Sequence, residues 1–390
     1  MISRPATTSE LRTANEERVV RAIRADGTLS QAEIASRTQL APPTVSGIVR
    51  DLVARGFLRS EEGMGRRGSR VTISQEAGVV AGVDVGHSHL EVSVADLGGN
   101  ISRSRSIALS PDTGYRKALE LANALMDETL LSAGHTREKL RALGLAVPAP
   151  IGVNGTLDSG LSPSGWVGAD VKREAEAVFH CPTLVDNDAN LGALAESTFG
   201  AGRGHDDLLY IKLGTGVGGG FVLGGQVYRG GLGIAGELGH FTIDEYGPLC
   251  RCGNRGCLEA YVGGSSLLRQ YAQVGEAVNI ASLVASAVGG DSSARRLIED
   301  AGRHLGKVVS VIVNLLGLSI VVVGGELSEA GDLLLNEVRA SLRRNVIAPL
   351  DQHVQVLAST VERQASSLGC VLLALDAVEF RAIEPSRRAD

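Results

Sequence analysis

The spacing of apolar positions changes character along the chain. Near the N-terminus, Val45, Ile48, Val49, Leu52 and Val53 recur every three or four residues, the stripe of an amphipathic helix. Two helices are predicted ahead of it. Asn15 before Glu16 and Glu17 reads as a helix start, with acidic residues against the positive end of the dipole, and Asp26-Gly27 reads as its stop. Ser30 with Glu33 three residues on has the pattern of a capping box opening a second, short helix. Gly56 closes the third. After it, "RSEEGMGRRGSRVTI" (59–73) reads as a strand, a Gly-rich turn and a strand. From residue 79 apolar and polar residues alternate instead: "VVAGVDVGHSHLEVSVADLGGN" (79–100) predicts strands joined by a Gly turn, and the pattern returns at "LLYIKLGTGVGGGFVLGGQVYRGG" (208–231). Two such units, each opening a mixed stretch, predict two lobes of similar plan around a cleft. The most apolar run, "VVSVIVNLLGLSIVVVGG" (308–325), is broken by Ser310, Asn314, Gly317 and Ser319, so it predicts a helix and then a buried strand rather than a membrane span.

Composition sharpens this picture. At 390 residues with 44% hydrophobic and 21% charged, the chain is expected to fold as two or three domains. No signal segment opens it, which predicts a cytoplasmic protein with no membrane partner. The net charge of −6 is unevenly placed: residues 1–75 hold 12 Arg, no Lys and 8 acidic residues, so the head is basic and the body acidic. A basic head suggests a polyanionic partner.

The head has the order and spacing of a winged helix-turn-helix. The short interval between the second and third helices fits that motif. Thr44, Ser46, Gly47 and Arg50 share the polar face of the third helix near its N-terminal end, where a recognition helix meets base edges. Arg66, Arg67 and Arg70, at or near the tip of the wing, suit phosphates or a minor groove. These residues predict operator DNA as a partner, with a three-helix module for protein contacts as the alternative. Gln39 stands where Gly often makes the turn. Ala41 stands where a capping Ser is expected, and Pro42-Pro43 set the helix entry instead.

Three of five cysteines crowd into "GPLCRCGNRGCLEA" (247–260). Clustered thiols in a reducing compartment suggest metal rather than a disulfide. His240, Cys250, Cys252 and Cys257 give three thiolates and an imidazole, a closed tetrahedral shell that predicts structural Zn2+. Cys181 and Cys370 are read as core residues. In "DNDAN" (186–190), Asn187 can donate and accept and Asp188 accepts from hydroxyls, which suits a polyol; an Asx turn starting a helix is the alternative.

Taken together, "DVG" (84–86), "DNDANLGALAE" (186–196), "LGTGVGGG" (213–220), "GELGH" (236–240), "CRCGNRGCLE" (250–259) and "VVVGGELSEAG" (321–331) resemble the ROK family of bacterial repressors and sugar kinases. The resemblance covers roughly residues 79–375, and the winged helix ahead of it points to the NagC/XylR-type regulator branch. The implied body is the α/β two-lobed fold of sugar kinases, actin and Hsp70 (ribonuclease H-like). Lobe I is expected over 79–190 and lobe II over 191–390, behind a DNA-binding domain over 1–75, with the C-terminal segment packing back on lobe I. The resemblance implies a sugar or sugar phosphate effector contacted by Asn187, Asp188, Glu237, His240 and Glu259, with zinc bracing the segment that carries the last three. It also implies nucleotide-type loops at Asp84 and Gly86, at Gly214, Thr215 and Gly216, and at Gly324 and Gly325.

In ROK kinases the residue at Asp188 is the general base. The alternative function is therefore an ATP-dependent sugar kinase with an accessory N-terminal domain. Against it, the kinases have Asp-x-Gly-Gly-Thr where this chain has Asp84-Val85-Gly86-His87-Ser88, and His87 adds an imidazole where phosphate would approach. ATP binding stays open because the second loop is intact, whereas its turnover is not expected. The loop "LSPSGWVGADV" (161–171) lacks the family's sugar-contacting Asn, and Trp166 there either lines the sugar site or packs. The expectation is a sugar-responsive transcriptional regulator of carbohydrate genes, a repressor acting as a homodimer or homotetramer, and not an enzyme.

Overall fold

The computed structural model describes residues 8–61, 69–110, 112–152, 155, 157, 166–361 and 364–378. Arg66 and Arg67, and the Ser164-Gly165 part of the divergent loop, lie outside them.

The head consists of α1 (Thr8–Asp26), β1 (Leu29–Ser30), α2 (Gln31–Thr38), α3 (Pro42–Ala54), β2 (Leu58–Glu61) and β3 (Arg70–Ile73), with β3 between β1 and β2 in an antiparallel sheet. The Ser30–Glu33 capping box forms, and Gln39 takes the turn in the left-handed region (φ 55°). Ala41 makes no side-chain cap and Pro42-Pro43 open α3. Val45, Ile48, Val49 and Leu52 are buried, as the stripe requires. One boundary differs from expectation. α1 begins at Thr8 rather than Asn15, because Glu16 is not a terminal residue facing the dipole. It is buried on the inner face of the helix and paired with Arg12 one turn earlier (3.1 Å) and with Arg55 after α3 (3.0 Å).

The body contains two five-stranded sheets of one plan. The first is built from β4 (Val79–Val85), β5 (His89–Asp96), β6 (Ile101–Ala108), β7 (Leu140–Val147) and β8 (Thr183–Asn187), with α4 (Tyr115–Ser132) and α5 (Val171–Phe179) packed on one face. Then comes α6 (Asp188–Thr198). The second sheet is built from β9 (Leu208–Leu213), β10 (Val217–Leu223), β11 (Gln226–Tyr228), β12 (Ile320–Gly324) and β13 (Gln355–Ala358). The helices of the second lobe are α7 (Glu259–Val262), α8 (Gly264–Tyr271), α9 (Ile280–Val288), α10 (Ser292–Leu316), α11 (Asp332–Asn345) and α12 (Ala348–Asp351), and α13 (Ala365–Ala377) ends the described chain. The strand orders are β6-β5-β4-β7-β8 and β11-β10-β9-β12-β13. In each, an antiparallel meander is followed by two parallel strands. The apolar run at 308–325 is indeed the end of α10 and the buried β12.

Two helices tie the lobes together. α6 lies against β9 and β10, while α13 lies against β4, β7 and α6. Both approaches depend on missing Cβ atoms. A Cβ on Gly220 would stand 2.4 Å from the Ala189 carbonyl oxygen, and one on Gly144 would stand 2.0 Å from that of Cys370. The head joins the same assembly. Val19, Val20 and Ile23 of α1 share one buried apolar cluster with Val80 and Ala95 of the first sheet, Leu97 just after β5, and Val371, Ala374 and Leu375 of α13. Arg24 adds polar contacts there, donating from Nε to the Leu97 carbonyl (2.9 Å) and from Nη1 to that of Leu375 (3.4 Å).

Trp166 is 2% exposed, its indole N–H donates to the Thr113 carbonyl (3.2 Å), and its ring meets Tyr115 edge-on. It packs the first lobe and does not line the cleft. Cys370 is fully buried, and Cys181 is half-buried beside the first lobe's core. Among the described residues no helix is long and apolar enough to cross a membrane.

Candidate functional site

A cavity of about 410 Å³ opens between the two sheets, where the hairpin turns of both lobes face each other. Asp84 is the penultimate residue of β4, and the Gly86–Ser88 turn follows the strand. Asn187 and Asp188 stand at the junction of β8 and α6. Gly214–Gly216 form the second turn and Val217–Gly219 open β10 beside it, while Glu237, His240, Arg251 and Glu259 come from the long segment between β11 and α8.

Local chemistry explains each position. Asn187 is the N-cap of α6: its Oδ1 accepts from the amides of Ala189 (2.9 Å) and Asn190 (3.3 Å), and its Nδ2 donates to the Ala149 carbonyl (3.2 Å). The Asx reading therefore describes this residue, and the cap aims the neighbouring Asp188 into the cleft. Asp186 of the same motif bonds Asn190 and accepts from Arg229 of the second lobe, holding α6 to the loop after β11.

Lys212, in β9, was not singled out by sequence reasoning. A lone lysine in an otherwise apolar strand was the available signal, since an unpaired lysine is rarely buried. Its Nζ donates to Asp188 Oδ2 (2.8 Å) and to the Ser366 hydroxyl (3.0 Å) at the start of α13. Burial disfavours its charge, but Asp188 and Asp84 outweigh that and hold its pKa above the ordinary lysine value. Burial likewise works against the Asp84 carboxylate. Lys212, together with a hydrogen bond from His89 (3.3 Å), outweighs burial and keeps that pKa below its usual range. Asp84 is the anchor of the first turn, but the concave side of that turn is filled. A Cβ on Gly86 would meet the His89 ring at 2.2 Å. Burial lowers the pKa of His87.

Glu259 accepts from Arg251 Nε (2.8 Å) and from the Val217 amide (3.0 Å), so it ties the cysteine segment to the second turn. Glu237 is pushed up to about 7, by burial first and by Asp188 second. At neutral pH it can therefore both donate and accept. Of the third loop, Gly325 lines the cleft beside Glu326, whereas Gly324 packs on the Tyr210 side chain.

The ligand atoms of His240, Cys250, Cys252 and Cys257 all lie within 4.8 Å of one another, so these residues could hold a metal ion. His240 Nδ1 is 3.5 Å from Cys250 Sγ, and the Cys252 and Cys257 sulfurs are 3.6 Å apart. Such separations match the edges of a tetrahedron with bonds of about 2.0–2.3 Å. His240 Nε2 points the other way, 3.9 Å from Glu237 Oε2.

On the head, Thr44, Ser46 and Arg50 are exposed along one side of α3, opposite its buried stripe. Ser46 donates to Gln31 of α2 (2.6 Å). Arg70 sits at the base of the wing and donates to the Thr28 carbonyl (2.5 Å).

The ROK family model matches residues 80–377. The chain belongs to the ROK family. A MarR family model matches residues 13–68, the helix-turn-helix and part of the wing. The ROK relatives include the xylose repressor of Bacillus subtilis strain 168, 27% identical over 93% of this chain and 95% of that one. Among solved structures, a ROK glucokinase from Streptomyces griseus in complex with glucose and AMPPNP is 30% identical. It covers 77% of this chain and all of that one with a TM-score of 0.67. A ROK transcriptional regulator homologous to the E. coli MLC protein has the same fold over 96% of this chain and 98% of its own, at 23% identity and a TM-score of 0.81. The kinase covers a share of this chain about the size of the ROK-matched body, whereas the regulator's match takes in nearly the whole chain.

Proposed function

We propose that this ROK protein is a sugar-responsive DNA-binding repressor, with the sugar in the interlobe cleft and the head on operator DNA. The observation that carries this reading is the continuity between cleft and head. α13 begins at the cleft, where Ser366 accepts from Lys212 and donates to the Asp188 carbonyl (3.2 Å). Nine residues later, roughly 13 Å along the helix, Leu375 accepts from Arg24 of the head. A sugar that engages Asp188 alters the partners of Ser366, and α13 hands that change to the joint with α1. Operator affinity then follows whichever head position the sugar-bound state prefers. Two copies would set their heads on half-sites about one helical turn apart.

Glu237, Asp188 and the Nε2 side of His240 are the groups best placed to meet sugar hydroxyls, with Asn187 and Glu259 serving mainly to position them. Structural zinc on His240, Cys250, Cys252 and Cys257 would brace three of the five residues assigned to the site. Head and first lobe share one core, so the head is not separable without cost to the body. Removing residues 1–75 would uncover Val80, Leu97 and Leu375 as well as removing the DNA contacts.

The test is a gel shift with DNA from upstream of the gene, with and without D-xylose or D-glucose, on the full chain and on Arg50→Ala. Retarded DNA that a sugar releases, with retardation weakened at least tenfold in the variant, is expected. ATP-dependent sugar phosphorylation at ordinary kinase rates with no DNA shift would reverse the reading in favour of the kinase.

A further inference from the structure

We infer that the cleft takes a sugar that carries no negative charge and excludes phosphate esters, whether of the sugar or of a nucleotide. The inference deepens the reading of the cleft as a sugar site and rests on it.

Fixed charge is the first argument. Among the described residues six carboxylates line the cavity, those of Asp84, Glu91, Asp188, Glu237, Glu259 and Glu326, against the two permanent cations Lys212 and Arg251. Setting aside Glu91 and Glu237, two acids still face each cation. The cations are also engaged. Lys212 lies on Asp188 and Ser366 beside Asp84, and Arg251 forks onto both oxygens of Glu259 (2.8 and 3.3 Å). A phosphate group entering here finds no unpaired guanidinium or ammonium among the described lining residues, and it brings about two negative charges into an acidic, low-dielectric space.

The second argument is that in the first two glycine turns, features able to cradle phosphate, side chains of this chain already lie against Gly86 and Gly216. At the first, the His89 ring covers Gly86 and is itself bonded to Asp84. At the second, a Cβ on Gly216 would stand 2.4 Å from Glu259 Oε2, so a carboxylate already lies against that turn where an anion would dock. Glu259 accepts the Val217 amide as well, removing a donor that phosphate would need. What stays open is a set of polar groups, the Asp188 and Glu237 carboxylates with the Nε2 side of His240, which suits hydroxyl groups. An ammonium-bearing sugar would be tolerated on the same charge argument.

The experiment is isothermal titration of the full chain with D-xylose, D-glucose and D-glucosamine, and with D-glucose 6-phosphate, N-acetylglucosamine 6-phosphate and MgATP, at fixed ionic strength. At least one free sugar should bind at least tenfold more tightly than any phosphate ester in the panel. Glu326→Gln, which removes one of the repelling charges, should narrow that ratio several-fold. A phosphate ester or MgATP that binds as tightly as the best free sugar overturns the inference while leaving the sugar-site reading intact. Silence from the whole panel sinks that reading, and the inference with it. A ratio unmoved by Glu326→Gln refutes charge as its cause.

Discussion

Lys212→Met is the most informative single change, because it removes the one cation that serves Asp84, Asp188 and Ser366 together. Methionine fills most of the lysine volume, so the effect is electrostatic rather than a cavity. Asp84 is 2% exposed, and its Oδ1 has no hydrogen-bond partner among the described residues. Breaking a buried pair from one side typically costs about 3–5 kcal/mol. With a urea m-value of about 3 kcal/mol/M, that lowers the unfolding midpoint by roughly 1–1.7 M. Trp166 is the single tryptophan and is buried in the first lobe, so its fluorescence reports the transition of the lobe that contains Asp84.

The pH dependence follows from the direction of the Asp84 shift. In the native chain its folded pKa is depressed, so it contributes stability above the unfolded carboxylate value that is lost as pH falls through the folded one. Without Lys212 the burial effect remains and its main opponent is gone, so the folded pKa moves above the unfolded value. Protonation then favours the fold, and the deficit of the variant should shrink between pH 7.5 and pH 5. A deficit below about 1 kcal/mol at pH 7.5, or one equally large at pH 5, would refute the view that Lys212 neutralises a buried carboxylate pair.

Two further outcomes are expected. Cys257→Ser, or treatment with a strong zinc chelator, should weaken sugar binding at least tenfold while the first-lobe fluorescence transition stays in place; unchanged sugar affinity with metal shown to be lost would separate zinc from the site. Gly144→Ala sets a Cβ where α13 already touches β7, and relieving 2.0 Å to an ordinary contact requires a displacement of about an ångström. The variant should lose about 2–3 kcal/mol or more, and whatever folds should respond less to sugar in DNA binding; an unaltered sugar response would show that α13 is not the route.

Much of this protein was legible before any coordinates. The helix-turn-helix could be read because a capping box, a stripe and a short turn are local signals with fixed offsets, and the structure places Ser30–Glu33 and Val45–Leu52 as those offsets require. The His/Cys cluster could be read because Cys250, Cys252 and Cys257 share one short loop, with His240 close enough in sequence to be included. Asn15 was misread because an acidic pair after an Asn looks the same at a helix terminus and in a helix whose Glu is paired from afar. Arg55, 39 residues away, decides between them.

What tertiary structure alone decided depends on distant pairs. Lys212, Asp84, Asp188 and Ser366 come from four separate elements, and only the facing of two sheets makes one charge network of them. Trp166 faces the core rather than the sugar because Thr113 and Tyr115 meet it there. The head is not a tethered bead because Arg24 finds carbonyls 73 and 351 residues along the chain. Short-range spacing wrote the motifs into the sequence, whereas charge balance, burial and the path from cleft to head exist only once the chain has folded.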